Sequence, residues 1–489
     1  MGLDVHKRVV EACLLDQSGK VVGRERFALS RGTLERFATK ILRPSDQVAL
    51  EATTNCWAVA DALRPQVAKV VVSNPMAAKA IAQAQIKTNK VDAHVLAQLL
   101  RCDFLPEVWP PDEATRRLRE MTGRRSALVG QRTMMRNRIH SVLAMRLIEA
   151  PLKLFNAEGQ EWLAAVELDE QARILVDGDL RQLEFLQREI DKLDEELARR
   201  GHASESVKLL MSLPGVDVAT AEALLAAWGD VSRFADGDHA ASYLGLVPST
   251  KQSAQQCYHG PITKRGNRQA RWMLIEAAQH LDKHPGPLGH FFRRLAKRKN
   301  RNVAVVAGAR KLAMIGYQML RNNEPYRYAL PRSTEAKLAR LRVKATGQRR
   351  SGGVPRGQKA VATRPGQPGG SRTIRSLDEV CPSEGLPPPQ ALSRGEERTV
   401  AQAGCQALVE QRAHRQIVPR RSASSGSRSP AEPKRQATPS RTRGRASCEG
   451  FRRHRVAEQG DEAPPPAPPT LSSVPGRKKT AARKSPPAS

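Results

Sequence analysis

The chain is short of aromatic residues, of paired cysteines and of long apolar runs. Phe, Trp and Tyr make up 4% of 489 residues. The seven cysteines (Cys13, Cys56, Cys102, Cys257, Cys381, Cys405, Cys448) are scattered, odd in number and never spaced as CxxC. That excludes a disulfide framework and a zinc-ribbon type of site. No run approaches the ~18–20 uninterrupted apolar residues of a membrane span. The most apolar late segment, Val303–Leu320, is broken by Arg310 and Lys311. Residues 1–15 lack a basic stretch leading into an apolar one, so no secretory signal is expected there. Gly2 follows Met1 as in a myristoylation start, but His6 stands where Ser or Thr is required. The expectation is a soluble protein of a reducing compartment.

Positive charge is abundant. Lys and Arg number 81 against 49 Asp and Glu, a net charge of +32, and the sequence pI is about 10.6. A polyanionic partner follows from that excess. The charge is uneven: residues 331–489 hold 32 Lys and Arg against 12 Asp and Glu, with 20 of the 33 prolines and a single aromatic, Phe451. Such a composition buries too little apolar surface to offset chain entropy, so 331–489 is expected to be a disordered basic tail rich in Pro, Ser and Arg.

The first hundred residues read as a layered α/β unit. Arg8–Leu15 and Lys20–Leu29 flank the turn signal Asp16-Gln17-Ser18-Gly19 and predict a hairpin. Strand patterns at Val48–Glu51 and Val67–Val72 then alternate with helical ones at Trp57–Leu63, Met76–Ala84 and Val91–Leu100. Residues 112–149 predict a long basic helix or helix pair. A second helix over Gln171–Arg200 carries apolar residues at Val176, Leu183, Leu186, Ile190, Leu193 and Leu197, in heptad steps from Leu183 on, with Asp179 at a core position. That seam either packs within the chain or joins two chains. Residues 207–330 predict a compact, mainly helical region. The boundaries are accordingly 1–110, 111–200, 201–330 and 331–489.

Three carboxylates stand where a sheet would present them. Asp4 lies in the first strand, Glu51 ends Val48-Ala49-Leu50-Glu51, and Asp92 opens a helix. Asn89 precedes Asp92 by three residues, so the two share a helix face if the helix begins early enough. Each acid alone also reads as a turn or cap residue. Together they are candidate ligands for a divalent metal such as Mg2+, which takes oxygen donors and promotes phosphodiester chemistry.

Residues 1–101 resemble the N-terminal domain of the DEDD transposases, the insertion-sequence recombinases of the IS110 family. The likeness runs through GLDVHK (2–7), ALEATTNCW (49–57) and KTNKVDAHVLAQLL (87–100). Residues 207–278 resemble the family's C-terminal domain through LMSLPGVDVATAEALLA (210–226), YLGLVPS (243–249) and GPITKRGNRQARWMLIEAA (260–278). The resemblance implies a RuvC-like, RNase H-type fold with a D-E-D-D metal site: Asp4 first, Glu51 second and Asp92 fourth. The third position, usually Asp, is Asn89 here, which removes one negative charge and predicts weaker metal affinity. Only three residues precede Asp4, so a start codon further upstream is expected.

For the C-terminal domain the resemblance implies a serine nucleophile. Counting back from the shared Gly-x-Ile-Thr-Lys-Arg-Gly-Asn segment places it at Ser253, with Ser249 and Thr250 nearby. No His-Asp pair lies close by in sequence to activate it; the metal site would have to serve. Leu213-Pro214-Gly215-Val216 has the look of a helix-hairpin-helix turn presenting backbone to a phosphate, or is a plain helix–helix turn. Lys264, Arg265, Arg268 and Arg271 cluster at a helix start as phosphate contacts, or as a solvated basic face. The implied activity is cleavage and exchange of DNA strands of a mobile element, guided by an RNA that pairs with target and donor DNA, by a homo-oligomer (dimer or tetramer) on the nucleoid in the bacterial cytoplasm. Two other readings fit the same residues: a Holliday-junction-type metal-dependent endonuclease, and a catalytically decayed nucleic-acid-binding copy.

Overall fold

The computed structural model describes residues 1–81, 89–253, 256–348 and 371–419. At the N-terminus, strands β1 (Gly2–Val5), β2 (Val9–Leu15) and β3 (Val21–Ala28) form an antiparallel meander. The β2–β3 turn closes because the Asp16 side chain accepts from Ser18 Oγ (2.7 Å) and from the Lys20 amide (2.9 Å). After helix α1 (Arg31–Ile41), strand β4 (Gln47–Glu51) pairs parallel with β1. Helix α2 (Cys56–Leu63) leads to β5 (Lys69–Ser73), parallel to β4. The sheet order is β3-β2-β1-β4-β5. Leu3, Val10, Ala12, Val48 and Leu50 face Leu34, Phe37 and Val59 of α1 and α2 in one core. Helix α3 (Pro75–Ile81) and helix α4 (Asn89–Arg101) follow. Helix α4 covers the other face: a Cβ on Gly2 would overlap the Ala93 carbonyl and the Ala97 amide. Gly2 is therefore required by close approach of helix to strand.

Helix α5 (Glu113–Ala144) and helix α7 (Glu170–Ala203) run antiparallel, joined through α6 (Ala157–Ala165). Leu118 meets Leu197, Leu128 and Met135 meet Leu186 and Ile190, and Ile139 and Leu143 meet Ala172 and Val176. Polar pairs follow the same ladder: Arg125 with Asp194, Arg132 with Gln187 (2.7 Å) and Arg138 with Asp179 (3.1 Å). The heptad seam is thus filled by α5 of the same chain and is not free to join protomers. Asp179, the polar residue at a core position, is buried and answered by Arg138 across the interface.

The rest is a helical bundle. Helices α8 (Glu205–Met211), α9 (Val218–Trp228) and α10 (Gly237–Tyr243) precede a hairpin of β6 (Pro248–Ser253) and β7 (Gln256–Ile262). That hairpin was not expected from the sequence, because its polar, exposed residues carry no apolar alternation. Helices α11 (Arg268–Ala278), α12 (Pro287–Arg298) and α13 (Arg301–Asn322) close the bundle around Trp228, Leu274, Phe292 and Leu312. Helix α13 is, by length and composition, apolar enough to cross a membrane, contrary to the expectation that no segment is. Half of it is buried against its neighbours, as in a core helix, and its Arg310 pairs with Asp238 (2.6 Å).

The expectation of disorder from residue 331 onward is corrected for the described part of the tail. Helix α14 (Pro331–Thr346) buries Leu338 and Leu341 in the main core. Strands β8 (Ser371–Ile374) and β9 (Gln416–Pro419) pair, and helices α15 (Leu377–Ser383), α16 (Arg394–Ala403) and α17 (Gln406–Ala413) lie between them in the chain. Leu377, Cys381 and Leu386 join the same core. A composition averaged over the whole tail hides these few apolar side chains, which need only a core built by the rest of the chain. Residues 349–370 and 420–489 lie outside the described residues.

One buried carboxylate makes the bundle pH-sensitive. Glu222 of α9 is fully buried, neither carboxylate oxygen finds a hydrogen-bond partner, and Arg200 Nε stands 3.7 Å away. Burial pushes its pKa up to about 7. The folded state therefore holds an extra proton between the ordinary carboxylate range and pH 7. This group's stabilising share is complete below about pH 4.5 and is lost as the pH rises through 7. Thermal melts should show Glu222→Gln gaining on wild type as the pH is raised from 5 to 8; parallel curves would contradict this.

Candidate active site

Register sets the strand carboxylates on one face of the sheet. The pairs Gly2–Ala49 and Leu3–Leu50 bring Asp4 and Glu51 level on adjacent parallel strands, on the face opposite the Leu3–Leu50 core. The antiparallel pair Asp4–Glu11 adds a third acid from β2, nearly buried and held by Arg26 Nε at 3.1 Å. Helix α4 crosses this face over Gly2, and its first turn carries Asn89 and Asp92. Cys13 on the same face lies 3.6 Å from His94 Nδ1 of α4, and Arg24 Nη1 donates to the Lys90 carbonyl (3.1 Å). Asn89 borders a shallow groove with His6, Lys7, Arg8 and Arg26, so a cationic rim adjoins the acids.

Asp4 is the pivot. Its Oδ2 is shut off from solvent and is met by His6 Nε2 at 3.0 Å. Burial raises its pKa; His6 opposes, while Asp92 and Glu11 push in the same direction as burial. A partly buried carboxylate crowded by two other acids is what a hard cation relieves, so the oxygen donors fit a divalent metal in kind. Among the described residues no three His, Cys, Asp or Glu side chains stand close enough to enclose one.

The second group of residues separates from the first. Ser253 is exposed at the end of β6, and no described contact joins it to Asp4 or Asp92. The hairpin's register, Thr250–His259, Lys251–Tyr258, Gln252–Cys257 and Ser253–Gln256, sorts its side chains into two faces. Thr250 Oγ1 and His259 Nδ1 are 3.1 Å apart on the face opposite Ser253. The base of the hairpin is held by two interlocked loops. A Cβ on Gly245 (φ +69°) would overlap the Arg265 carbonyl, and one on Gly266 (φ +79°) the Tyr243 carbonyl. Arg271 stitches them, Nη1 donating to the carbonyls of Leu244 (2.8 Å) and Arg265 (3.1 Å).

Arg271, expected among the phosphate contacts, is 8% exposed and is committed to these carbonyls, which corrects that expectation. Arg271 falls on the buried stripe of α11 with Ala270, Leu274 and Ala278. Lys264, Arg265 and Arg268 remain at the surface. Gly215 takes φ +75° in the α8–α9 turn, with its Cβ direction against the Ala277 carbonyl. The adjoining N-terminus of α9 is already capped by Asp217, which accepts from the Thr220 amide at 2.9 Å. Lys337 Nζ of α14 donates to the Leu213 and Val216 carbonyls of the same turn (2.6 and 3.1 Å).

Comparison with known proteins matches both regions. Residues 1–146 fit the model of the IS110 DEDD transposase domain, and residues 207–292 that of the transposase IS116/IS110/IS902 family. The chain belongs to the IS110 transposase family. The transposase for insertion sequence element IS1111A of Coxiella burnetii is 26% identical over 67% of this chain and 91% of its own length. An insertion element IS110 protein of Streptomyces coelicolor is 34% identical over 26% of this chain and 32% of its own length. The pilin gene-inverting protein of Moraxella bovis is 32% identical over 24% of this chain and 38% of its own length. Against a Sinorhizobium fredii protein named as a transposase, the chain spans about half (48%) of the relative's length.

In this member of the IS110 family the two matched stretches contain the acidic face and the interlocked loops, and α14 to α17 lie beyond both. Sequence reasoning missed Glu11, His6 and the hairpin's faces. A lone acid inside the apolar run Val9–Leu15 is the one signal that pointed to Glu11. The loop clamp yields a direct test. Gly266→Ala is expected to lower stability by about 2–4 kcal/mol, since it combines a left-handed backbone with a backbone overlap. Urea titration of wild type and variant measures it, and an unchanged midpoint would contradict the clamp.

Proposed function

We propose that this transposase cleaves and rejoins DNA strands of its own insertion sequence, guided by an RNA. Residues 1–110 serve as an RNase H-type, RuvC-like catalytic domain, 111–200 as a helical connector and 201–330 as the C-terminal transposase domain. The observation that supports the reading is the placement of Asp4 and Glu51 on adjacent parallel strands, with Asp92 on the helix that crosses the same face. Asp4, Glu51, Asn89 and Asp92 would hold Mg2+. Bound there, a divalent cation supplies Lewis-acid stabilisation of the charge that builds on a phosphodiester.

Ser253 acts as the nucleophile. Its Oγ loses a proton and bonds to phosphorus while one P–O bond to the deoxyribose breaks; the departing oxygen takes up a proton. Attack by a hydroxyl of the second strand on the phosphoserine ester restores Ser253 and joins the strands. Two duplexes require more than one active site, so the working form is a dimer or tetramer at the nucleoid in the cytoplasm. Family kinship supports the guide RNA, and the surface cations Lys264, Arg265 and Arg268 beside the hairpin suit nucleic-acid backbone.

Recombination of the native element ends, with co-purified RNA, tests this with wild type, Asp4→Ala and Ser253→Ala in parallel. Wild type should recombine, and each variant should lose at least about a hundredfold in rate. Full activity in both variants would remove the assignment. The exposed position of Ser253, with no His or carboxylate among the described residues of its face of the hairpin, favours a second reading, a junction-type metal-dependent endonuclease. Ser253→Ala that still cuts four-way DNA at the wild-type rate would select it.

Asn89 carries its own prediction. Asn89→Asp adds a carboxylate on the helix face shared with Asp92 and should tighten Mn2+ binding about tenfold. Calorimetric titration with Mn2+ reads this independently of DNA. An unchanged affinity would place residue 89 outside the ligand set.

A further inference from the structure

The face of the β6–β7 hairpin that carries Ser253 holds more than a hydroxyl. Cross-strand pairing places Lys251, Ser253, Gln256 and Tyr258 together there, and Thr250, Gln252, Cys257 and His259 on the reverse. Tyr258 is an exposed aromatic, 64% accessible, in a chain with few aromatics. Its ring is not left to swing freely: the hydroxyl donates to Gln256 Oε1 at 2.9 Å, and Gln256 is the cross-strand partner of Ser253. The phenol therefore leans along the ribbon toward the serine. Lys251, opposite Tyr258 and two residues before Ser253, supplies an exposed cation on the same face. Behind it, at the foot of the hairpin, stand the exposed Lys264, Arg265 and Arg268.

We propose that this face is a nucleotide platform. Tyr258 stacks on an unpaired base of the DNA strand next to the phosphate presented to Ser253, and Lys251 contacts that strand's phosphate. An exposed ring with an adjacent cation is the arrangement by which proteins hold single-stranded nucleic acid, since every base offers a π-face and every linkage a charge. Among the described residues the reverse face carries the imidazole of His259 but no phenol, lysine or arginine. The interlocked Gly245 and Gly266 loops fix the hairpin's base, so the platform is held at a set angle to the bundle. This inference rests on the reading of Ser253 as nucleophile, and the two are separable by experiment.

The test uses the full-length protein and single-stranded DNA from the element end, with 2-aminopurine at the candidate stacking position. Wild type should quench the 2-aminopurine fluorescence. Tyr258→Ala should abolish quenching and weaken binding about 5- to 100-fold, whereas Tyr258→Phe, which keeps the ring, should stay within about twofold of wild type. Lys251→Gln should lower the slope of log affinity against log salt by about one. Ser253→Ala should bind and quench as wild type does, yet form no denaturation-resistant protein–DNA adduct. Unchanged affinity and quenching in Tyr258→Ala would overturn the platform even if the adduct forms. Tyr258-dependent binding of the matching RNA in preference to DNA would also overturn it. Tyr258-dependent DNA binding with no adduct in wild type would leave the platform standing and remove Ser253 as nucleophile.

Discussion

The constraint on which the acidic face depends is the close contact between helix α4 and strand β1 at Gly2. No side chain fits between that Cα and the backbone of Ala93 and Ala97. The helix is thereby pressed onto the sheet at the one strand flanked antiparallel by β2 and parallel by β4. Its first turn then overhangs Asp4, and the acids of three strands and one helix share a face. The burial, and after it the neighbouring acids, that raise the Asp4 pKa follow from this packing. A larger residue at position 2 would lift α4 and separate Asp92 from Asp4 without touching either.

Helix α5 carries that unit into the rest of the chain. Near its start, Arg116 pairs with Asp61 of α2 (2.5 Å) and Arg119 donates to the Ala226 carbonyl of α9 (2.7 Å). Its remaining length is occupied by α7 through an apolar seam with charged rungs. Buried Asp179 and its exposed partner Arg138 set the register of the two helices more than they add stability, since desolvation of the carboxylate offsets its attraction to a solvent-screened guanidinium. The C-terminal bundle is in turn braced by α14, whose Lys337 holds the carbonyls of the α8–α9 turn.

Much of this was legible beforehand. The β2–β3 hairpin, β4, β5 and the long helices announced themselves by turn chemistry and by period, because each is amphipathic or continuously apolar over its own length. Asp4, Glu51 and Asp92 stood out as acids at strand and helix ends in a basic chain. Glu11 did not, since an acid within a strand gains meaning only when its cross-strand neighbour is known. The β6–β7 hairpin escaped notice for the opposite reason: its residues are polar on both faces, so no alternation marks it. The tail misled because disorder was inferred from an average, while folding depends on where Leu338, Leu377 and Cys381 can reach.

The sequence by itself determined the family motifs, the alternation of strands and helices in the first hundred residues, and the identities of the acids, because these depend on neighbours in the chain. Only the tertiary structure decided which acids meet, that the heptad seam closes on α5, that Arg271 turns inward to bind carbonyls, and that Ser253 shares its face with Lys251 and Tyr258. Those outcomes hang on register and close approach between segments far apart in sequence. A shift of one residue in either strand pairing would send the same side chains to the opposite face.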